Sequence, residues 1–218
     1  MSVSPFASRT VAVALALAAI GGCQPPRIAP LEGVPVPVQQ LPKGTLPDGN
    51  RKIVFKWELR DGDVNARGDG VARIASPDSV RLDFFLGGGF GGGAAVLIGD
   101  SLQVPGPEAA RRLVPPRALL WAALGRLDIP AERDTVVRVD AGVLRADIGA
   151  PVRWRASFHG DTLIRLERVD GGRLREWVER AAGQSVQYRN EAARRTLSLV
   201  IQRSDAVPPF DPAIWHLY

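Results

Sequence analysis

The sequence predicts a mainly β (α+β) fold: a strongly curved antiparallel sheet of about eleven strands, a half-barrel, with helix inserted mid-chain over its concave face. Three observations carry this. From Arg51 onward apolar residues recur with a period of two, not 3.6. The links between these runs are short and rich in Gly, Asp and Pro, too short for parallel crossovers. Only residues 107–124 break the alternation. With 218 residues, 45% of them hydrophobic and 23% charged, the chain has the make-up of one ordinary domain with a processed end.

The elements follow in chain order. Arg9 precedes the ten-residue apolar run Val11–Ile20, which is too short to span a bilayer, and Gly21-Gly22-Cys23 ends it. A positive start, a short apolar core and small residues describe a secretory signal. Ile20-Gly21-Gly22-Cys23 resembles the bacterial lipobox. That resemblance implies cleavage after a signal peptide of residues 1–22 and acylation of Cys23, the only cysteine. Retention at a membrane would follow, since each buried methylene of an acyl chain contributes about 0.8 kcal/mol. Gln24 stands where Asp commonly marks inner-membrane retention, so the expected location is the outer membrane, facing the periplasm.

Residues 24–50 are proline-rich without periodicity, as in Val34-Pro-Val-Pro-Val38 and Leu46-Pro-Asp-Gly49. They read as an extended, semi-rigid tether that holds a folded part, residues 51–218, away from the bilayer. In that part Ile53, Phe55, Trp57 and Leu59 alternate with Lys52, Val54, Lys56 and Glu58. Asp61-Gly62-Asp63 turns the chain back into 64–76. Val80, Leu82, Phe84 and Leu86 alternate next, followed by short strands over 94–98 and 101–104. Pro107–Leu113 reads as a helical turn. Pro115–Leu124 reads as an amphipathic helix started by proline and stopped by Gly125. Seven further strands are expected over 134–140, 142–149, 152–159, 162–170, 173–180, 185–190 and 195–203, divided by glycine-bearing hairpin turns.

Tests for chemistry are mostly negative. Asp61-Gly-Asp63-Val-Asn65 starts like a calcium loop, but Ala66 and Ala72 replace its glycine and its bidentate glutamate. One cysteine and two histidines, His159 and His216, leave no cysteine-rich or histidine-built metal centre. No nucleophile elbow, zincin motif or phosphate-loop lysine occurs. The expectation is a protein that is no enzyme and needs no cofactor. Basic residues number 28 against 23 acids, and all but three are Arg. Their mixture gives no nucleic-acid stripe, and suits solubility and anionic headgroups better.

Gly87-Gly-Gly-Phe90-Gly-Gly-Gly93 stands apart. It reads either as a hairpin tip with Phe90 folded inward or as a loop displaying Phe90 to a membrane or partner. Phe84-Phe85-Leu86-Gly87, the paired strands of Ala94–Val104 and Leu119-Leu120-Trp121-Ala-Ala-Leu-Gly125 with Pro130 resemble parts of the LolA/LolB-type lipoprotein carriers, LolB most of all. The resemblance implies a half-barrel and a protruding loop whose apolar residue matches Phe90.

Two functions follow as expectations. In the first, a lipid-anchored, non-catalytic protein binds lipid or lipoprotein acyl chains in a cavity lined by Trp57, Phe84, Trp121, Trp154 and Phe158. Its partners would be membrane lipid through Cys23, an acyl or lipid ligand, and lipoprotein cargo or a periplasmic carrier. In the second, a structural or assembly lipoprotein binds a protein partner through a sheet face bearing Arg153, Arg155, Arg165, Arg168, Arg173 and Arg175.

Overall fold

A computed structural model describes residues 24–37, 41–88, 91–130, 132–181 and 184–217. The strands are β1 (Val34–Val36), β2 (Asn50–Asp61), β3 (Val64–Ala75), β4 (Ser79–Leu86), β5 (Gly92–Ile98) and β6 (Ser101–Gln103). After the helices α1 (Glu108–Arg111) and α2 (Arg117–Ala123) come β7 (Thr135–Asp140), β8 (Val143–Ile148), β9 (Trp154–His159) and β10 (Thr162–Asp170). The last three strands are β11 (Arg173–Ala181), β12 (Ser185–Asn190) and β13 (Arg195–Val207), followed by a 3-10 turn at Pro212–Trp215. All thirteen strands form one curved, open antiparallel sheet in the order β1-β7-β8-β9-β10-β11-β12-β13-β2-β3-β4-β5-β6.

The chain thus makes two meanders with the helices between them. They are joined where β13 pairs with β2 from Arg195↔Asp61 to Val207↔Asn50. This central pairing is long because both strands carry alternating apolar residues over most of their length. Leu197, Leu199 and Ile201 sit opposite Leu59, Trp57 and Phe55 on the concave side. A bulge between Ile201 and Arg203 shifts the register, so Ser204 comes opposite Ile53 and shares that face.

On the concave face lies α2. Pro116 precedes it, and the C-terminal stop is Gly125 at φ +97°, a backbone conformation that favours glycine. Leu119 and Trp121 are wholly buried, and Leu120 and Ala122 nearly so. Covering each large side chain contributes about 1.5–3 kcal/mol, which pins a two-turn helix that could not persist alone.

The described residues hold thirteen strands, against about eleven expected, and β1 lies inside the segment read as a tether. Parts of 24–36 make contacts with the sheet. Leu174 donates its backbone N–H to the Pro26 carbonyl at 2.9 Å, and Ile28 donates to Gly172 at 3.0 Å. Arg173, Arg155 and Arg138 donate to the carbonyls of Pro25, Ala29 and Gly33. Proline cannot donate in a ladder, but its carbonyl accepts, so a proline-rich chain can still be held by arginine side chains and an edge strand. Further on, Leu46 is buried and the Lys43 carbonyl accepts from Leu127.

Candidate functional site: an apolar cavity under the helix

Between α2 and the half of the sheet formed by β2–β4, β12 and β13 lies a cavity of about 600 Å³. Phe55, Ala72, Ile74, Leu82 and Phe84 form one wall, and Val186, Tyr188, Leu197, Leu199 and Ile201 form the other. Leu113, Pro115, Leu120, Ala123 and Leu124 roof it. Arg51, Arg180, Gln184, Ser185 and Ser204 supply its polar lining, and no acidic residue is found among the described lining residues.

The first wall depends on glycines in β3. A Cβ on Gly70 would lie 2.3 Å from the Phe55 ring, and one on Gly68 would lie 2.9 Å from Cζ2 of Trp57. Without those carbons the rings approach the β3 backbone closely. Phe84 then meets Phe55 and Trp57 edge-on, at centroid distances of 5.7 and 6.0 Å.

Charges on the concave face gather at the Asp61 end of β2, and there they are paired. Asp61 takes hydrogen bonds from Arg112 and Arg195, each at 3.1 Å. Glu176, 7% exposed, accepts from the Tyr188 hydroxyl and from the Asn190 amide at 2.8 Å, and from Arg168 at 3.1 Å. Burial, then the Glu176 charge, pushes the Tyr188 phenol well above its ordinary value of 10.0. An acid whose folded pKa is raised supports folding fully below about pH 10, its unfolded value, and loses that support above it. Tyr188→Phe should cost about 1.5–3 kcal/mol at neutral pH, because the bond to a charged acceptor is lost. It should also flatten the decline in stability above pH 10, as measured by urea unfolding across pH 7–11. An undiminished decline would assign the alkaline effect to other groups.

At the other end the situation differs. The Arg180 guanidinium sits beside the turn after α2, where a Cβ on Gly125 would lie 2.5 Å from its Nη1. It donates to the Leu163 carbonyl at 3.3 Å, and burial alone lowers its pKa from the ordinary value. Arg51 donates to the Ser204 hydroxyl at 3.1 Å.

Of the five expected lining residues the structure places only Phe84 on the cavity. Trp57 packs behind Phe84 and donates its indole N–H to the Asp69 carbonyl at 2.9 Å. Trp121 is wholly buried beneath the helix, with its indole N–H on the Gly99 carbonyl at 3.2 Å. Phe158 is wholly buried in β9 opposite Leu144 and Leu163, and Trp154 is half-buried opposite Ile148. Alternation assigns each to a face but does not say whether that face is filled or left open. Arg180 and Tyr188 went unrecognised; the available signal was charge at concave positions, since Glu176, Val178 and Arg180 share one side of β11. Cys23 and Phe90 fall outside the described residues. Beside the latter, Phe85 and Leu86 are exposed.

The sheet-face arginines are engaged within the chain. Arg153 pairs with Glu132, Arg155 with Asp147, Arg165 with Glu167 and Glu179, Arg168 with Glu176, and Arg175 with Asp170, while Arg173 holds Pro25. Among the described residues no helix is long and apolar enough to cross a membrane.

No family model matches the chain, and no curated protein matches it. Similar solved structures include a LolA superfamily protein from Nitrosomonas europaea, with TM-score 0.48 and 10% identity over 79% of this chain and 92% of that one. A DUF1329 family protein from Desulfovibrio piger has TM-score 0.44 and 9% identity, covering 78% and 90%. A protein domain from Vibrio parahaemolyticus, named for outer membrane lipoprotein sorting, has TM-score 0.42 and 10% identity, covering 77% and 89%.

Proposed function

We propose that the protein is a lipid-anchored, non-catalytic carrier or acceptor that holds an alkyl chain in the cavity under α2, at the outer membrane on the periplasmic side. The carrying observation is the cavity itself: about 600 Å³, walled by aliphatic and aromatic side chains. That volume lies within the range of about 300–1,000 Å³ usual for small-molecule sites. The lipobox-like sequence ending in Cys23 supports anchoring, and acyl chains of a lipid or of a lipoprotein cargo are the ligands that an envelope membrane supplies.

One peptide-mapping experiment tests both parts. The full chain, in membranes of a bacterial host, is exposed to a photoactivatable hexadecanol, irradiated, digested and analysed by mass spectrometry. Label is expected on peptides carrying Leu120–Leu124 and Leu197–Ile201, and an acylated peptide is expected to begin at Cys23. Label spread without preference over exposed apolar residues such as Val136 would defeat the cavity reading. An unmodified Cys23 would defeat the anchor.

A further inference from the structure

The concave face carries charge at both ends, and the two ends are treated differently. Around Asp61 and Glu176, Arg112, Arg195 and Arg168 each meet an anion. At the opposite end Arg180 and Arg51 border the cavity, and among the described residues neither meets an acid: Arg180 reaches one carbonyl and Arg51 one hydroxyl. Withdrawing a guanidinium from water without a counter-charge is costly, and folded chains avoid it unless something compensates. The cation borders space that the protein leaves empty, so the compensating anion can arrive with whatever fills that space.

Resting on the cavity reading above, we infer that the ligand is a single-chain amphiphile with an anionic head, a carboxylate or a phosphate, bound with its tail along Phe84 and Leu199 and its head on Arg180. Size agrees with one chain: at about 30 Å³ for a water-sized group, the cavity takes about twenty such groups, enough for one long alkyl tail. Chemistry agrees as well. The planar guanidinium fork matches carboxylate and phosphate oxygens two at a time, and it exchanges a weak 3.3 Å carbonyl contact for charge-assisted bonds. Burial alone lowers the basicity of Arg180. Arg51 supplies a second positive charge on the same cavity, and Gly125 leaves the guanidinium its place beside the helix end. A neutral ester or alcohol would fill the apolar volume and leave Arg180 uncompensated.

The test compares three photoactivatable probes with the same sixteen-carbon tail (a palmitate, a hexadecyl phosphate and a hexadecanol) on the full chain in membranes, with cavity labelling normalised to total incorporated probe. At least one anionic probe should label the cavity peptides roughly tenfold more than the alcohol, the worth of a charge-assisted bond. Which anion leads identifies the head. Arg180→Gln should bring that ratio close to one, and Arg180→Lys should keep a preference. Equal labelling by all three probes in the unmodified chain overturns the anionic head but leaves the cavity reading standing. A ratio unchanged by Arg180→Gln overturns the role of Arg180. Absence of cavity label from every probe overturns the cavity reading, and this inference with it.

Discussion

Replacing Trp121 by alanine should lower the melting temperature by roughly 6–20 °C. Deleting a large buried aromatic side chain costs about 3–5 kcal/mol, and each kcal/mol moves the midpoint of a domain this size by about 2–4 °C. Trp121 sits at the high end of that range for three reasons: it is wholly buried, its indole N–H is satisfied by the Gly99 carbonyl at 3.2 Å, and the Arg126 guanidinium covers its ring at 4.6 Å. The helix has only seven residues and no side-chain cap, so its position depends on what it buries. Trp121→Phe should lose markedly less, because a ring remains in the slot. Thermal unfolding followed by circular dichroism checks both variants. A fall of less than 2 °C for the alanine variant would mean that α2 is held by other contacts, chiefly those of Leu119 and Leu120.

What was legible in the sequence follows from which interactions are local. The hairpins from Asn50 to Gln103 and from Thr135 to Val207 could be read because alternation and turn glycines are neighbours in the chain. So could α2, bounded by Pro116 and Gly125. The pairing of β13 with β2 could not, since Arg195 meets Asp61 across 134 residues of chain. The docking of residues 24–37 was hidden for a different reason: their partners are arginine side chains and an edge strand, which leave no periodic trace in the proline-rich segment itself. The site was half legible. Phe84 borders the cavity, whereas Phe158, on an equally apolar stripe, is wholly buried away from it. Volume left over after packing is a property of the assembled sheet and helix together. Arg180 was overlooked because one charge among 28 basic residues means nothing until its face is known.

Substituting Ala123 by tryptophan should abolish alkyl-chain binding while leaving the fold in place. Ala123 ends α2 and borders the cavity, and it is only half-buried, so its enlarged side chain has empty space to enter. Helix propensity falls only slightly from Ala to Trp, by less than about 0.7 kcal/mol. Against that, an indole placed against Phe84 and Leu199 buries new apolar surface worth about 1.5–3 kcal/mol. The melting temperature should therefore hold or rise, unlike that of the Trp121 variant. Binding should respond in the opposite direction, because the indole occupies the volume that the tail needs. Cavity labelling by the sixteen-carbon alcohol probe should fall at least tenfold, about 1.4 kcal/mol in binding free energy. The pairing of outcomes is what discriminates. Loss of label together with a large loss of stability would mean that the site is ordinary core that tolerates no enlargement. Retained cavity label with retained stability would mean that the tail does not use the space beside Ala123. Only a stable chain that no longer takes the probe assigns the space beneath α2 to a ligand.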